Sequence, residues 1–245
     1  MVEAGEISTN IDRRDNQPRG NSPDRQDNLA LLREVPLFAG MNDTEFTRLA
    51  GIAHERRYPR NAVIFFADEP GDALFVIKAG SVKIYLLADD GREKTLAIFG
   101  KGDFFGEMAL LDERPRSAIA ETLEDTHLLV VDKADFSRLL ESTPGMALKI
   151  IQVLTERLRQ ANAQLEGLAF ADVRTRVAAA LARLASEHGV AVEGGVRIGL
   201  KLTHQQLANL VGTSRETVTR ILCELQDEGE LIMDGRYFIL TGKGA

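Results

Sequence analysis

The sequence is poor in the residues that build disulfides and metal sites. Its 245 residues include one cysteine, Cys223, and no tryptophan. One thiol cannot form an internal disulfide, and a lack of disulfides is typical of proteins in a reducing compartment, so we expect a cytoplasmic protein. We also expect Cys223 to pack on the apolar side of a helix. Nor can one thiol supply an iron–sulfur cluster or a Cys-rich zinc site. Because the four histidines are scattered, the sequence predicts no metal, haem or iron–sulfur cluster.

Long apolar runs are also missing. The longest stretch without Asp, Glu, Lys or Arg has 13 residues, from Leu202 to Ser214, whereas a transmembrane helix needs about 18. We therefore expect no membrane partner. A chain that is 44% apolar and 27% charged has the composition of a globular protein. Its length suits one large domain or two modest ones, at roughly 100–200 residues each.

The chain has no excess of positive charge. The formal net charge is −7, and residues 172–245 contain nine basic and nine acidic residues. A strongly basic domain would be the electrostatic footprint of nucleic-acid binding. Any affinity for DNA must therefore come from the placement of individual arginines.

Apolar patterning divides the chain into four segments. Residues 1–28 are polar and lack periodicity, which predicts a disordered tail. Residues 29–142 contain many short apolar runs separated by turn signals, which predicts an antiparallel, jelly-roll-like β-roll. Residues 143–171 predict one long helix, and residues 172–245 predict helices followed by a β-hairpin. The expected fold class is α+β.

The predicted long helix carries an apolar seam. Its apolar side chains recur in alternating steps of three and four, a pattern that favours a partner helix. The seam consists of Ile151, Leu154, Leu158, Ala161, Leu165 and Leu168. We expect it to form a dimer interface, and the alternative is a helix packed on its own domain. Asp132 is expected to cap the helix that precedes the seam.

The C-terminal segment has the signature of a winged helix-turn-helix. Thr203 opens a short helix and is followed three residues later by Gln206, as in a capping box. Gly212-Thr213-Ser214 makes a tight turn into a second helix, residues 215–228. A hairpin with its turn at Asp234-Gly235 follows. This order of elements predicts a DNA-binding domain.

The start of the second helix carries side chains that could read bases. Arg215, Glu216 and Arg220 lie on its outward side, near the end that enters the major groove in such domains. Arg can bond guanine O6 and N7, and Glu can accept from cytosine N4. Two alternatives stay open: Glu216 could form a capping box with Thr213, and Arg220 could form an ion pair with Glu216 or Glu224.

A second candidate site lies within the predicted roll. Gly102 and Gly106 allow a tight backbone turn, and Glu107 offers a carboxylate to two vicinal hydroxyls. Arg116 and Ser117 offer a guanidinium fork and a hydroxyl to a phosphate. Together these groups suit a nucleotide monophosphate. The alternative is that Glu107 and Arg116 pair with each other across the roll.

Two segments resemble those of one bacterial family. Gly212–Leu222 resembles the recognition motif of the CRP/FNR family, the cyclic-AMP-receptor-like transcription regulators, and Leu168–Val173 resembles its link between dimer helix and DNA-binding domain. The resemblance covers about Val35 to Leu240. It implies a cyclic-nucleotide-binding roll, a dimerisation helix and a winged helix that reads a TGTGA-like palindrome. The partners it implies are double-stranded DNA, a second copy of the chain and RNA polymerase.

The resemblance also implies two sets of site residues. The cyclic nucleotide would be held by Gly106, Glu107, Met108, Ala109, Arg116, Ser117, Ala118, Ala161 and Asn162. DNA would be contacted by Thr203, Gln205, Ser214, Arg215, Glu216, Thr219 and Arg220.

One position departs from the family pattern. In cyclic-AMP-responsive members the dimer helix places Thr, then Ser or Asn, against the adenine from the two subunits, and here those positions are Ala161 and Asn162. A lost hydrogen bond costs about 0.5–1.5 kcal/mol, so cyclic AMP stays the favoured effector. Cyclic GMP, cyclic di-GMP or a ligand-independent, constitutive regulator are the alternatives. We do not expect an enzyme, since the chain offers no nucleophile–base–acid set.

Overall fold

The computed structural model of the chain describes residues 23–242. Residues 1–22 of the predicted disordered tail, residues 1–28, lie outside this range. Over the remaining six residues the prediction is wrong, because Pro23–Glu34 forms a helix, α1. Leu31 and Leu32 in its second half are buried. These two leucines anchor the helix, and the polar residues before them extend it towards the N-terminus.

Eight strands form the antiparallel roll that the sequence predicts. They are β1 (His54–Tyr58), β2 (Val63–Phe65), β3 (Ala73–Ala79), β4 (Val82–Leu87), β5 (Glu93–Phe99), β6 (Phe104–Phe105), β7 (Ile119–Thr122) and β8 (Thr126–Asp132). Two four-stranded sheets result, with the orders β1-β8-β3-β6 and β2-β7-β4-β5. A buried cluster that includes Phe75, Phe105, Val82 and Ala120 joins the two sheets.

Two of these strands lie where the sequence pattern indicates none. The β1 strand reads His-Glu-Arg-Arg-Tyr and has no apolar alternation, yet it pairs along its length with β8. It is an edge strand, which needs one neighbour and no buried face on both sides. The β6 strand has two residues and pairs with Phe75 and Val76 of β3. Tertiary pairing, not local propensity, forms both strands.

Helices pack on the outside of the first sheet. They are α1, a 3₁₀ turn (Pro36–Phe38), α2 (Asp43–Ile52), α3 (Met108–Leu111), α4 (Lys133–Ser142) and the long α5 (Pro144–Phe170). Leu32, Phe136 and Met146 share one buried core with Leu129 of β8. The predicted cap of α4 is wrong in its detail: Asp132 precedes the helix, but its side chain accepts no capping hydrogen bond.

The C-terminal part is a winged helix-turn-helix, as predicted. Its elements are α6 (Val173–His188), β9 (Gly189–Val192), β10 (Gly195–Ile198), α7 (His204–Val211), α8 (Arg215–Asp227), β11 (Leu231–Asp234) and β12 (Tyr237–Leu240). The predicted capping box between Thr203 and Gln206 is present, and Gly212 ends α7 at a φ of 73°, a conformation that glycine adopts without strain. Cys223 of α8 is exposed, so the expectation that it packs is wrong; its neighbour Leu222 is buried instead.

The roll and the C-terminal part touch through β5. Lys94 Nζ donates to the Leu210 carbonyl at 2.5 Å, and Asn209 Nδ2 donates to Glu93 Oε2 at 3.1 Å. Burial, with the nearby Arg176, lowers the pKa of Lys94. These contacts hold α7 against the roll. Of the helices within residues 23–242, none combines the length and apolar character needed to cross a bilayer.

Candidate ligand cavity and nucleic-acid interface

A cavity of about 610 Å³ opens beside β5, β6 and the long helix α5. This volume is within the range of small-molecule sites. Its lining includes Gly106, Glu107, Met108, Ala109, Arg116, Ser117, Ala118 and Ala161. Eight of the nine residues predicted to hold a cyclic nucleotide are therefore brought together. The ninth, Asn162, is exposed on α5 and does not line this cavity.

Arg116 is the buried cation of the cavity. Its guanidinium is 3% exposed and donates to the carbonyls of Gly106 at 2.7 Å and Ala73 at 2.9 Å. Asp72 accepts at 3.3 Å, and the Phe65 ring lies 4.3 Å from the guanidinium carbon. Gly106 has a φ of 88°, and a Cβ there would come within 2.8 Å of Arg116 Nη1, so only glycine permits this approach.

One donor of Arg116 is left without a partner. Its Nε is buried and makes no hydrogen bond to any group within residues 23–242. A buried unsatisfied donor costs about 1–3 kcal/mol, and because this Nε has almost no accessible surface, a ligand's acceptor meets it only if the Arg116 side chain shifts. Burial lowers the pKa of Arg116, although an arginine remains protonated in proteins. The site is thus suited to an anion.

Glu107 meets a residue that the sequence analysis did not include in the site. Its carboxylate is 2% exposed and accepts from Arg157 Nη1 at 2.5 Å. Arg157 lies on α5, donates also to the Phe104 carbonyl at 2.6 Å, and stacks 4.9 Å from the Phe99 ring centre. Glu107 therefore pairs with Arg157 and not with Arg116, so the alternative of a direct Glu107–Arg116 pair is wrong. Arg157 lies on the same side of α5 as Val153 and Ala161, which also line the cavity, but no local pattern marks it as a site residue.

The predicted DNA-contacting residues cluster around the turn between α7 and α8. Arg215, Glu216 and Arg220 are exposed. Ser214 is the residue that caps α8, accepting from Thr217 N, so the alternative capping box between Thr213 and Glu216 is absent. The backbone N–H of Glu216 and the Ser214 hydroxyl lower the pKa of the Glu216 carboxyl, which keeps it a hydrogen-bond acceptor.

The remaining predicted DNA contacts are held by neighbours. Thr203 caps α7, and Gln205 donates to Asn209 at 2.8 Å. The Thr219 hydroxyl lies 2.8 Å from His204 Nδ1, a contact that joins α7 to α8 and that no local pattern indicates. The alternative for Arg220, an ion pair, is present with Glu224 at 2.5 Å between exposed side chains. Such pairs contribute about 0.3–0.5 kcal/mol, which leaves Arg220 able to exchange its partner for a base.

The predicted seam of α5 divides between two surroundings. Ile151, Leu158 and Leu165 recur every seven residues and are 58%, 62% and 65% exposed. Leu154 is half-buried against the core of its own roll, so the alternative of packing on its own domain holds for this residue. Ala161 lines the cavity, and Leu168 is 44% exposed. The apolar face open to a partner is therefore centred on Ile151, Leu158 and Leu165.

Comparison with known proteins assigns the roll and the C-terminal part each to a domain family. Residues 55–143 match the cyclic nucleotide-binding domain family, and residues 175–242 match the Crp-like helix-turn-helix domain family. The "Cyclic AMP receptor protein" of Thermus thermophilus is 39% identical over 81% of this chain and 88% of its own. A "CRP-like cAMP-activated global transcriptional regulator" of Mycobacterium tuberculosis is 33% identical over 86% of this chain and 94% of its own.

Solved structures of transcription regulators have the same fold as this chain. The c-di-GMP-responsive global regulator CLP of Xanthomonas campestris aligns with a TM-score of 0.67 at 31% identity, covering 82% of this chain and all of the other. FixK2 of Bradyrhizobium japonicum aligns with a TM-score of 0.69 at 27% identity, covering 77% of this chain and 92% of the other. A cyclic-nucleotide-binding roll joined by a long helix to a winged helix-turn-helix defines a ligand-responsive transcription regulator. The chain belongs to the CRP/FNR family.

Proposed function

We propose that the protein binds cyclic AMP in the roll and that the bound nucleotide promotes binding of a homodimer to a TGTGA-like palindrome. The observation that carries the ligand assignment is the buried cation Arg116 in a cavity that it lines together with Glu107 and Ser117. The cyclic phosphate accepts from Arg116 and Ser117. The ribose hydroxyl donates to Glu107. The names of the relatives in Thermus and Mycobacterium support adenine as the base.

Ligand binding and the long helix share one carboxylate. Arg157 of α5 bonds Glu107 Oε1. A carboxylate has about four acceptor positions, so a ribose hydroxyl that reaches Glu107 shares this carboxylate with Arg157. The geometry of the shared contact depends on where α5 places Arg157. A ligand shifts a conformational equilibrium only by its differential affinity for the two arrangements, and the shared contact gives cyclic AMP such a difference.

The exposed face of α5 pairs with a second copy of the chain. In that dimer Asn162, which does not line its own cavity, lies where the two helices meet and reaches the base bound by the partner. Two recognition helices then contact half-sites about 34–36 Å apart, one helical turn of DNA. Arg215, Glu216 and Arg220 read the bases. We also propose contact with RNA polymerase and action in the bacterial cytoplasm, where the DNA is.

Isothermal titration calorimetry tests the ligand assignment. The wild-type protein is titrated with cyclic AMP, cyclic GMP and cyclic di-GMP, beside Arg116→Leu and Ser117→Ala. We expect cyclic AMP to bind the wild type most tightly and Arg116→Leu to bind no nucleotide. The exposed Ser117 bears no packing, so Ser117→Ala keeps its fold and loses about tenfold in affinity, the equivalent of about 1.4 kcal/mol.

A matched control separates the phosphate contact from loss of charge. Arg114 is exposed and two residues away, and Arg114→Leu removes the same charge outside the cavity; it should bind cyclic AMP as the wild type does. If cyclic GMP or cyclic di-GMP bound the wild type more tightly than cyclic AMP does, that nucleotide would be the effector instead. Equal DNA binding with and without every nucleotide would support the constitutive alternative.

A further inference from the structure

A helix of the DNA-binding domain forms part of the wall of the ligand cavity. After α5 ends, the chain turns and α6 runs back along it, so that Arg183, Glu187 and His188 line the same cavity as Glu107 and Arg116. Gln160 Nε2 of α5 donates to Glu187 Oε1 at 3.0 Å. The ligand site of the roll is therefore completed, in the same chain, by the first helix of the DNA-binding domain.

Arg183 and Glu187 have hydrogen-bonding capacity to spare. Their side chains are 22% and 27% exposed, and the Arg183 Nη1 to Glu187 Oε2 distance is 3.4 Å. A guanidinium has five N–H donors and a carboxylate about four acceptor positions. Within residues 23–242, Arg183 donates only to Glu187, and Glu187 accepts one further hydrogen bond, from Gln160. Both groups can thus bond a ligand without losing their present contacts.

The chemistry of this pair matches one edge of adenine. Adenine presents the N6 amine as a donor beside N7 as an acceptor. A carboxylate accepts from the amine, and a guanidinium donates to the ring nitrogen. Ala161, which lines the same cavity and which the family resemblance places against the base, has no group that could do either. The pair on α6 supplies what Ala161 lacks.

We infer that Arg183 and Glu187 contact the purine base of the nucleotide bound in their own subunit, Glu187 at N6 and Arg183 at N7. The inference rests on the proposed binding of cyclic AMP and adds to it a base contact made by the DNA-binding domain. Because α6 belongs to that domain, the nucleotide stabilises one position of the domain directly. By linkage, DNA that favours the same position tightens the nucleotide.

Calorimetry with two altered ligands tests each contact separately. Purine-riboside 3′,5′-cyclic monophosphate lacks the N6 amine, and 7-deaza cyclic AMP lacks the N7 acceptor. We expect the wild type to bind each about tenfold more weakly than cyclic AMP. Glu187→Ala should lose that preference against the first analogue only, and Arg183→Ala against the second only. Glu193→Ala, an exposed change of the same charge in the same domain, should keep both preferences.

The outcomes separate this inference from the proposed function. If the wild type binds cyclic AMP through Arg116 but the tenfold preferences persist in Glu187→Ala and Arg183→Ala, the base contact is wrong and the proposed function stands. A variant that merely perturbs the fold weakens all three ligands alike and leaves the ratios unchanged, which also contradicts the inference. If the wild type binds no cyclic AMP, the proposed function and the inference both fail.

Discussion

Replacing Leu158 by aspartate should convert the protein into a monomer. Leu158 lies at the centre of the exposed row on α5, with Ile151 and Leu165 one heptad away on either side. Full burial of a leucine or isoleucine is worth about 1.5–3 kcal/mol. Since each of these side chains is about 60% exposed, a dimer gains roughly 1–2 kcal/mol from each, or on the order of 6–12 kcal/mol from the six in a symmetric pair.

That gain is comparable with the cost of association, about 4–15 kcal/mol, so the interface has little margin. In Leu158→Asp the two leucine contributions are lost and two carboxylates face each other where water is excluded. Desolvation costs several kcal/mol for each ion. The sum exceeds the margin, and the homodimer should dissociate at micromolar concentration.

Size-exclusion chromatography with light scattering measures the outcome. Ala163→Asp is the matched control, because Ala163 is exposed on α5 about 140° around the helix from Leu158 and receives the same charge. We expect a dimer for the wild type and for Ala163→Asp, and a monomer of about 27 kDa for Leu158→Asp. A Leu158→Asp protein that remains a dimer would refute the assignment of the interface to this face.

Three further predictions concern the bases, the effector and the pH. Arg220→Ala should lose about 1–3 kcal/mol of binding to a TGTGA palindrome and much less to a scrambled duplex; equal losses, by fluorescence anisotropy, would assign Arg220 to phosphate contact. Ala161→Thr should tighten cyclic AMP about tenfold if the hydroxyl gains one hydrogen bond of roughly 1.4 kcal/mol, and calorimetry that finds unchanged affinity would contradict the placement of Ala161 at the base. Burial raises the pKa of Asp103 above 3.8, against the bond from Gly100 N and the nearby His188. The folded protein then holds the Asp103 proton to higher pH than the unfolded chain does, so the contribution of Asp103 to the free energy of unfolding should fall as pH rises from 3.8 through the folded pKa. Chemical denaturation of the wild type and of Asp103→Asn across this range should give a difference in the free energy of unfolding, wild type minus variant, that falls as pH rises, and a difference that does not change with pH would disprove it.

The sequence predicts most of the fold because local rules govern most of its elements. The α6 helix, from Val173 to His188, begins after a capping aspartate and ends at a glycine, as its sequence indicates. The capping box of Thr203 likewise marks the start of α7. The charged β1 strand, by contrast, exists because β8 offers it an edge, and no periodicity within five residues encodes that.

The candidate site divides in the same way. Glu107, Arg116 and Ser117 lie within eleven residues of one another, on the one segment that joins β6 to β7, so the sequence alone groups them. Arg157 reaches Glu107 from 50 residues further along the chain. Arg183 reaches the cavity only because α6 folds back along α5. Such contacts depend on how helices pack, and no motif signals them.

The central claim is that a cyclic nucleotide in the roll controls DNA binding by the winged helix. Fluorescence anisotropy of a labelled TGTGA palindrome, titrated with the wild-type protein with and without saturating cyclic AMP at one salt concentration, tests it most directly. Couplings between sites are typically 1–3 kcal/mol, or about 5–150-fold. Cyclic AMP should tighten binding to the palindrome by a factor in this range. Identical affinity with and without cyclic AMP, from a protein that calorimetry shows to bind the nucleotide, would contradict it.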